Sequence, residues 1–321
     1  MTTTRRCCLT VIVLLFAALA AAGCGGDPHP AGPVPSVTGK FGADPVVTIP
    51  NGNPSKQLIV QTVIPGHGPV VQAGDYVLFN VEGKVWAGDR EVVDSYTDRQ
   101  PQGLPLRSAL PAWRHLAGQR VGSRVLMVVP PKDGFGKQGD PQADIMATDT
   151  LVFVFDLLGT MRTSAHAEGT TVPYHPGAGL PRVTWGRHGP VITVPSKAAP
   201  PKKLVSTVLI RGHGKPVENG QTVVAQYSGV VWSSGKVFDS SWQRGFPEST
   251  QLGRQLAASR GGRFRSGQRY LPATSGVPVA PLTATLVLPL QQSQLKSRKV
   301  YDLQSQYYAC KLARSNMRWQ S

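Results

Sequence analysis

The feature that most limits how this chain can fold is that it writes one pattern twice. Laid on itself at an offset of 146, VIPGHG (63–68) falls on LIRGHG (209–214), Gly74 on Gly220, Gly83 on Gly229 and Trp86 on Trp232. Upstream, Val37-Thr38 meets Val183-Thr184 at the same offset, and VVTIP (46–50) meets VITVP (191–195) at 145. After Trp86 the first copy is one residue longer, so REVVDSYTDR (90–99) aligns with GKVFDSSWQR (235–244) at an offset of 145. A slip of one inside a loop, with both flanks in register, is what a duplicated domain shows. A repeat of this length argues for two globular units rather than a solenoid. At 321 residues, each unit has enough chain to bury its own core.

Within the first copy the local patterns are short and apolar, bounded by Gly, Pro or Asp. Gln57–Ile64, Tyr76–Val81, Arg124–Val129 and Thr150–Leu158 read as strands. Ser108–Ala117 reads as one short helix, with Leu110, Trp113 and Ala117 on a common face. Several antiparallel strands and a single helix predict an α+β unit, a sheet curved around that helix.

The ends carry addresses of a different kind. MTTTRRCCLTVIVLLFAALAAAGC (1–24) has a basic start, an apolar run of 14 residues over 9–22, and small residues before Cys24. That run is short for a membrane span and right for a signal-peptide core. Ala21-Ala22-Gly23-Cys24 resembles a bacterial lipobox, which implies lipidation of Cys24 and a chain anchored at the extracytoplasmic face of the cell membrane. Residues 25–36, rich in Pro and Gly, read as a tether. With Cys7 and Cys8 leaving with the signal and Cys24 acylated, only Cys310 remains, so no disulfide framework is expected.

Net charge is +16, and residues 253–321 supply +10 of it, with 11 Lys and Arg against Asp302 alone. That concentration in one atypical tail, with no nucleic-acid module around it, argues against a nucleic-acid partner. The boundaries expected are a unit at 37–162, a linker at 163–182, the first half of a second unit at 183–253, and a basic segment at 254–321.

The pieces of both copies together resemble the FKBP-type peptidyl-prolyl isomerases. In the second copy the likeness rests on Tyr227-Ser228-Gly229, GKVFDSS (235–241) and Arg244. In the first it rests on Asp94-Ser95, Arg99, ALPAW (109–113), VGSR (121–124), PPKDGFG (130–136) and TLVF (150–153). The resemblance implies two FKBP-like domains, each a curved antiparallel sheet of about five strands around one short helix, the second incomplete. It implies an apolar pocket with Trp113 as floor, Leu110, Phe135 and Phe153 as walls, and Asp94 at the rim, held by Arg99. Val81 and Val93 stand where the family has an aromatic wall. Tyr227, Phe238, Asp239 and Arg244 keep that wall in the second copy.

The substrates implied are proline-containing polypeptides, with no cofactor and no metal. An X–Pro amide turns over a barrier of roughly 18–20 kcal/mol. Its transition state is twisted and less polar than the planar amide, so a dry apolar pocket that fits the twist lowers the barrier selectively. The seven His residues show no metal-ligand spacing, and neither a G-x-S-x-G elbow nor a phosphate-cradling loop is present. The two valines leave a second reading open, a binding module or chaperone of the same fold. After Gly253 the family pattern stops abruptly, as a change of reading frame or a foreign C-terminus would give. A third reading is therefore a degraded gene product folded in its first half.

Overall fold

The computed structural model describes residues 32–251, apart from 175, 177–178, 197, 202–206, 214 and 217–219, together with 269–270 and 282–288. The leader, Cys24, most of the tether and most of the chain beyond 253 lie outside the described residues.

In chain order the first region holds β1 (Ser36–Thr38), β2 (Val46–Thr48), β3 (Ile59–Ile64), β4 (Asp75–Val85), β5 (Arg90–Asp94), β6 (Gln102–Pro105), β7 (Arg124–Val129) and β8 (Leu151–Arg162). Six of these make one antiparallel sheet in the order β3-β7-β8-β4-β5, with β6 pairing the first half of β4 beside β5. β1 and β2 form a separate hairpin. The sheet therefore has one strand more than expected. β6 carries no strand-like pattern because it is four residues long, includes Gly and Pro, and is half-buried except at Gly103.

The central strands are buried on both faces, which is why they read as unbroken apolar runs. Odd-numbered side chains, among them Val77, Phe79, Val81, Val125, Met127, Phe153 and Phe155, point into the main core. Even-numbered Leu126, Val128, Val152 and Val154 point the other way, onto Trp86 and onto Val47 and Val37 of the N-terminal segment. Strand periodicity of two thus assigns the N-terminal hairpin and the aromatic cluster to opposite faces.

A buried ion pair fixes that hairpin. Arg124 donates from Nε and Nη2 to the two carboxylate oxygens of Asp156 at 2.7 Å each, and both side chains are fully buried. The guanidinium also donates to the carbonyls of Thr38, Gly39, Lys40 and Ala43, while Gly42 N–H donates to Asp156 Oδ2 at 2.7 Å. Every charged atom has partners, the condition under which a buried pair is tolerated.

The single helix expected at Ser108–Ala117 is instead two 3-10 turns, Leu106–Ser108 and Ala112–Leu116. The break falls at Ala109, extended at φ −72°, ψ 162°, and Pro111 lacks the N–H that a continuous helix would need there. The buried face is correspondingly Leu106, Ala109, Ala112 and Leu116, whereas Trp113 and Ala117 are only partly covered.

The second region continues with β9 (Thr170–Thr171), β10 (Arg182–Gly186), β11 (Gly189–Thr193), β12 (Ile210–Arg211), β13 (Lys215–Pro216), β14 (Thr222–Val231), β15 (Val237–Ser240), a one-turn helix α1 (Ser241–Arg244), β16 (Glu248–Gln251), β17 (Arg269–Tyr270) and β18 (Leu282–Leu288). The stretch read as a linker contributes β9, which pairs with β12. β14 is flanked by β15 and β16 as β4 is by β5 and β6. Equivalent contacts recur: Trp86 Nε1 donates to Gly52 O at 3.0 Å and Trp232 Nε1 to Ala198 O at 2.9 Å. Val81 N–H donates to Ser95 Oγ at 2.7 Å and Tyr227 N–H to Ser241 Oγ at 2.8 Å, one residue past the serine aligned with Ser95. One difference is large. β8 lies antiparallel to β4, but β18 lies parallel to β14. The closing strand expected in the second unit is therefore not reproduced by Leu282–Leu288.

The two regions touch through Tyr76, Leu78, Leu158, Met161 and Val224, with Phe41 and Phe246 packed on them. Gln226 Nε2 donates to Thr163 O at 2.6 Å where the chain leaves β8.

Candidate active site

Four aromatic rings gather on the odd face of the first sheet. Trp113 meets Phe153 at 5.2 Å, Phe155 at 5.3 Å and Phe79 at 6.0 Å between centroids, each near-perpendicular. Edge-to-face pairs of this kind add about 0.5–1.5 kcal/mol beyond area burial. Phe79, Phe153 and Phe155 are buried while Trp113 is half-open, so the indole is the part of the cluster that meets solvent. Its Nε1 is covered and has no hydrogen-bond partner.

Gly83 brings the rest together. A Cβ there would lie 2.6 Å from the Phe153 ring and 2.7 Å from Val93, so only glycine lets these side chains close over the strand. Val81, buried, and Val93 and Phe135, half-buried, complete the cluster around Trp113. Leu110, half-buried, packs outside it, and its carbonyl accepts the Trp113 N–H at 3.0 Å.

Asp94 ends β5 at the edge of this cluster. Its Oδ1 accepts from Tyr96 N–H at 2.7 Å, and both oxygens lie 3.3 Å from Thr97 N–H, an Asx turn. Ser95 locks the turn to β4, accepting from Val81 N–H while its own N–H donates to Val81 O at 2.9 Å. Arg99 does not hold Asp94, contrary to expectation. It is exposed, sits at φ 50°, and makes no ion pair among the described residues.

The second region shows why. There Tyr227 OH donates to Asp239 Oδ2, Arg244 pairs with Asp239 Oδ1, and Arg244 Nη2 donates to Tyr227 OH at 2.8 Å. The guanidinium also stands 5.4 Å over the Tyr227 ring and reaches Glu248 at 3.3 Å. Burial, and then the Asp239 hydrogen bond, push the Tyr227 phenol well above its ordinary range, against the opposing pull of Arg244. With valine at position 81, no phenol bridges Asp94 to Arg99. Phe238 lies against Gly229 as Val93 lies against Gly83. Leu110, Trp113, Phe135 and Phe153 have no counterpart among the described residues of this second wall.

Phe79 and Phe155 were missed as cluster members, although they share the odd phase of Val81 and Phe153 in their own strands. Among the described residues, no group of three His, Cys, Asp or Glu could hold a metal.

A family model for FKBP-type peptidyl-prolyl cis-trans isomerase matches residues 68–158, which include β4 through most of β8 and every member of the Trp113 cluster. The chain is 30% identical over 121 residues to an FK506-binding protein of Streptomyces anulatus, covering 36% of this chain and 94% of that one. It belongs to the FKBP-type peptidyl-prolyl cis-trans isomerases. It is also 33% identical over 105 residues to the isomerase FkpA of Escherichia coli K12, spanning 32% of this chain but only 38% of FkpA. The crystal structure of Escherichia coli FkpA matches 33% of this chain and 48% of its own at 32% identity, with a TM-score of 0.31. The cluster around Trp113 within the matched residues is half-open and nearly nonpolar, with Asp94 at its edge.

Proposed function

We propose that the Trp113 cluster accelerates rotation about X–Pro bonds in polypeptides. The observation that carries this reading is one half-open indole floored by three buried phenyl rings, with a single carboxylate at the edge. Such a surface favours a twisted, less polar amide over a planar one, and about 1.4 kcal/mol of that preference is worth tenfold in rate. The proline ring would lie on Trp113 against Phe153 and Phe135, with Leu110 and Val93 at the sides. Asp94, pre-aimed by its own backbone and Ser95, would face the substrate. A protease-coupled tetrapeptide assay on the full chain tests the proposal. Acceleration that falls in Trp113→Leu supports it; a rate equal to the uncatalysed one overturns it.

The valines at 81 and 93 favour a second reading, a fold that binds proline segments with little turnover. Peptide binding without acceleration would establish it. The recurring Trp–carbonyl and Ser–amide contacts support a tandem origin, the second unit keeping the Tyr227, Phe238, Asp239 and Arg244 wall as a partial peptide surface. The lipobox-like Ala21–Cys24 supports export and anchoring to the membrane through Cys24. Release of the Cys24→Ser chain from membranes checks that point.

A further inference from the structure

Away from the Trp113 cluster, a cleft of about 660 Å³ opens where the chain leaving β8 passes the β10–β11 hairpin and α1. Trp185 and Trp242 are its indole walls, 6.0 Å apart at 76°. Trp185 is 53% exposed, a large apolar surface left in water. Gly189 is fitted to the other wall, since a Cβ there would lie 2.5 Å from the Trp242 ring.

We propose that this cleft binds an extended, proline-bearing stretch of the same client polypeptide, as a second anchor beside the isomerase site; the proposal rests on the reading above. The polar character of the lining selects that occupant. No Asp or Glu lines the cleft, whereas Arg187, Ser164 and Trp242 offer donors, with His166 and His188 beside them. Trp242 Nε1 is buried without a partner, and an indole nitrogen can only donate. The occupant must therefore bring acceptors for Arg187 and no positive charge. A proline segment does so, because each proline keeps its carbonyl and lacks an N–H. Its preformed extended helix also presents flat rings suited to indole faces. Binding remote from the reacting bond would raise the local concentration of the client at the Trp113 cluster.

The test is titration of the full chain with N-acetylated, C-amidated hexaproline, followed by indole fluorescence. Trp185→Ala should weaken binding about tenfold or more, and Trp242→Phe, which keeps a ring but loses the N–H, by about threefold. The same loss on Trp185→Ala should appear in a Trp113→Leu background, in which the isomerase cluster no longer holds a proline ring. Unchanged affinity in Trp185→Ala overturns the proposal, and so does loss of binding in Trp113→Leu alone. Binding only of peptides with a free carboxylate also overturns it and makes the cleft an anion site. Tetrapeptide isomerisation, read in parallel, should be unchanged in Trp185→Ala. A wild-type chain without that activity would refute the isomerase reading and leave the hexaproline result standing.

Discussion

In the first sheet two valines face the aromatic cluster and Asp94 is held by its own backbone; in the second, Tyr227, Asp239 and Arg244 close a hydrogen-bonded ring with no aromatic floor described beneath it. The contrast shows that the arginine of this motif is not recruited by the aspartate alone. In the second sheet a phenol joins the direct pair, accepting from the guanidinium and donating to the carboxylate. Without it, the aspartate turns to the nearest N–H groups, and the arginine goes to solvent. The apolar floor, by contrast, assembles without that ring.

The largest effect expected on this comparison is structural. Asp156→Ala leaves Arg124 buried without its partner, which should cost about 3–5 kcal/mol in the first sheet. Urea unfolding followed by the signals of Trp86 and Trp113 would measure it. Next comes the floor itself. Trp113→Leu should lower kcat/KM on a proline tetrapeptide by about 10–100-fold, whereas Phe238→Ala should leave it unchanged. Equal losses in both variants would mean that the two walls share one site.

Rebuilding the missing ring is the sharper test. Val81→Tyr with Val93→Phe should draw Arg99 to Asp94 and raise kcat/KM by about threefold to tenfold. A crystal structure of that double variant with Arg99 still in solvent would refute the bridging argument. The smallest effect concerns alkaline pH. The Tyr227 phenol holds its proton more tightly folded than unfolded. The stability this contributes is complete below roughly pH 10, the ordinary tyrosine value, and is lost as pH climbs toward the folded value. Tyr227→Phe should flatten that alkaline loss in a pH series of melting temperatures, although Tyr96, raised chiefly by burial, should keep part of the slope.

The strands carrying the cluster were legible because a sheet buried on both faces writes continuous apolar runs, and Arg124–Val129 has the bounds expected. Phe79 and Phe155 were visible in phase but not singled out, because an aromatic in a buried strand is ordinary core until a half-open indole meets it. The 3-10 turns at 106–116 were hidden by a helix-like spacing that Pro111 interrupts. The Arg124–Asp156 pair links residues 32 apart to a loop more than 80 residues upstream, a contact no local pattern encodes. The fate of Arg99 depended on the residue opposite it across β4, so a motif match at Asp94 and Arg99 alone could not settle it.

The lashing of Thr38–Ala43 to Arg124 and Asp156 also governs how the first unit takes a mechanical load. Tension on the chain ahead of Gly32 would run into the reverse side of the sheet, through β7 and β8, and bypass the strip that grips proline. Any support holding that leading end would leave the indole facing outward, so clients could arrive from the far side while the unit stays moored.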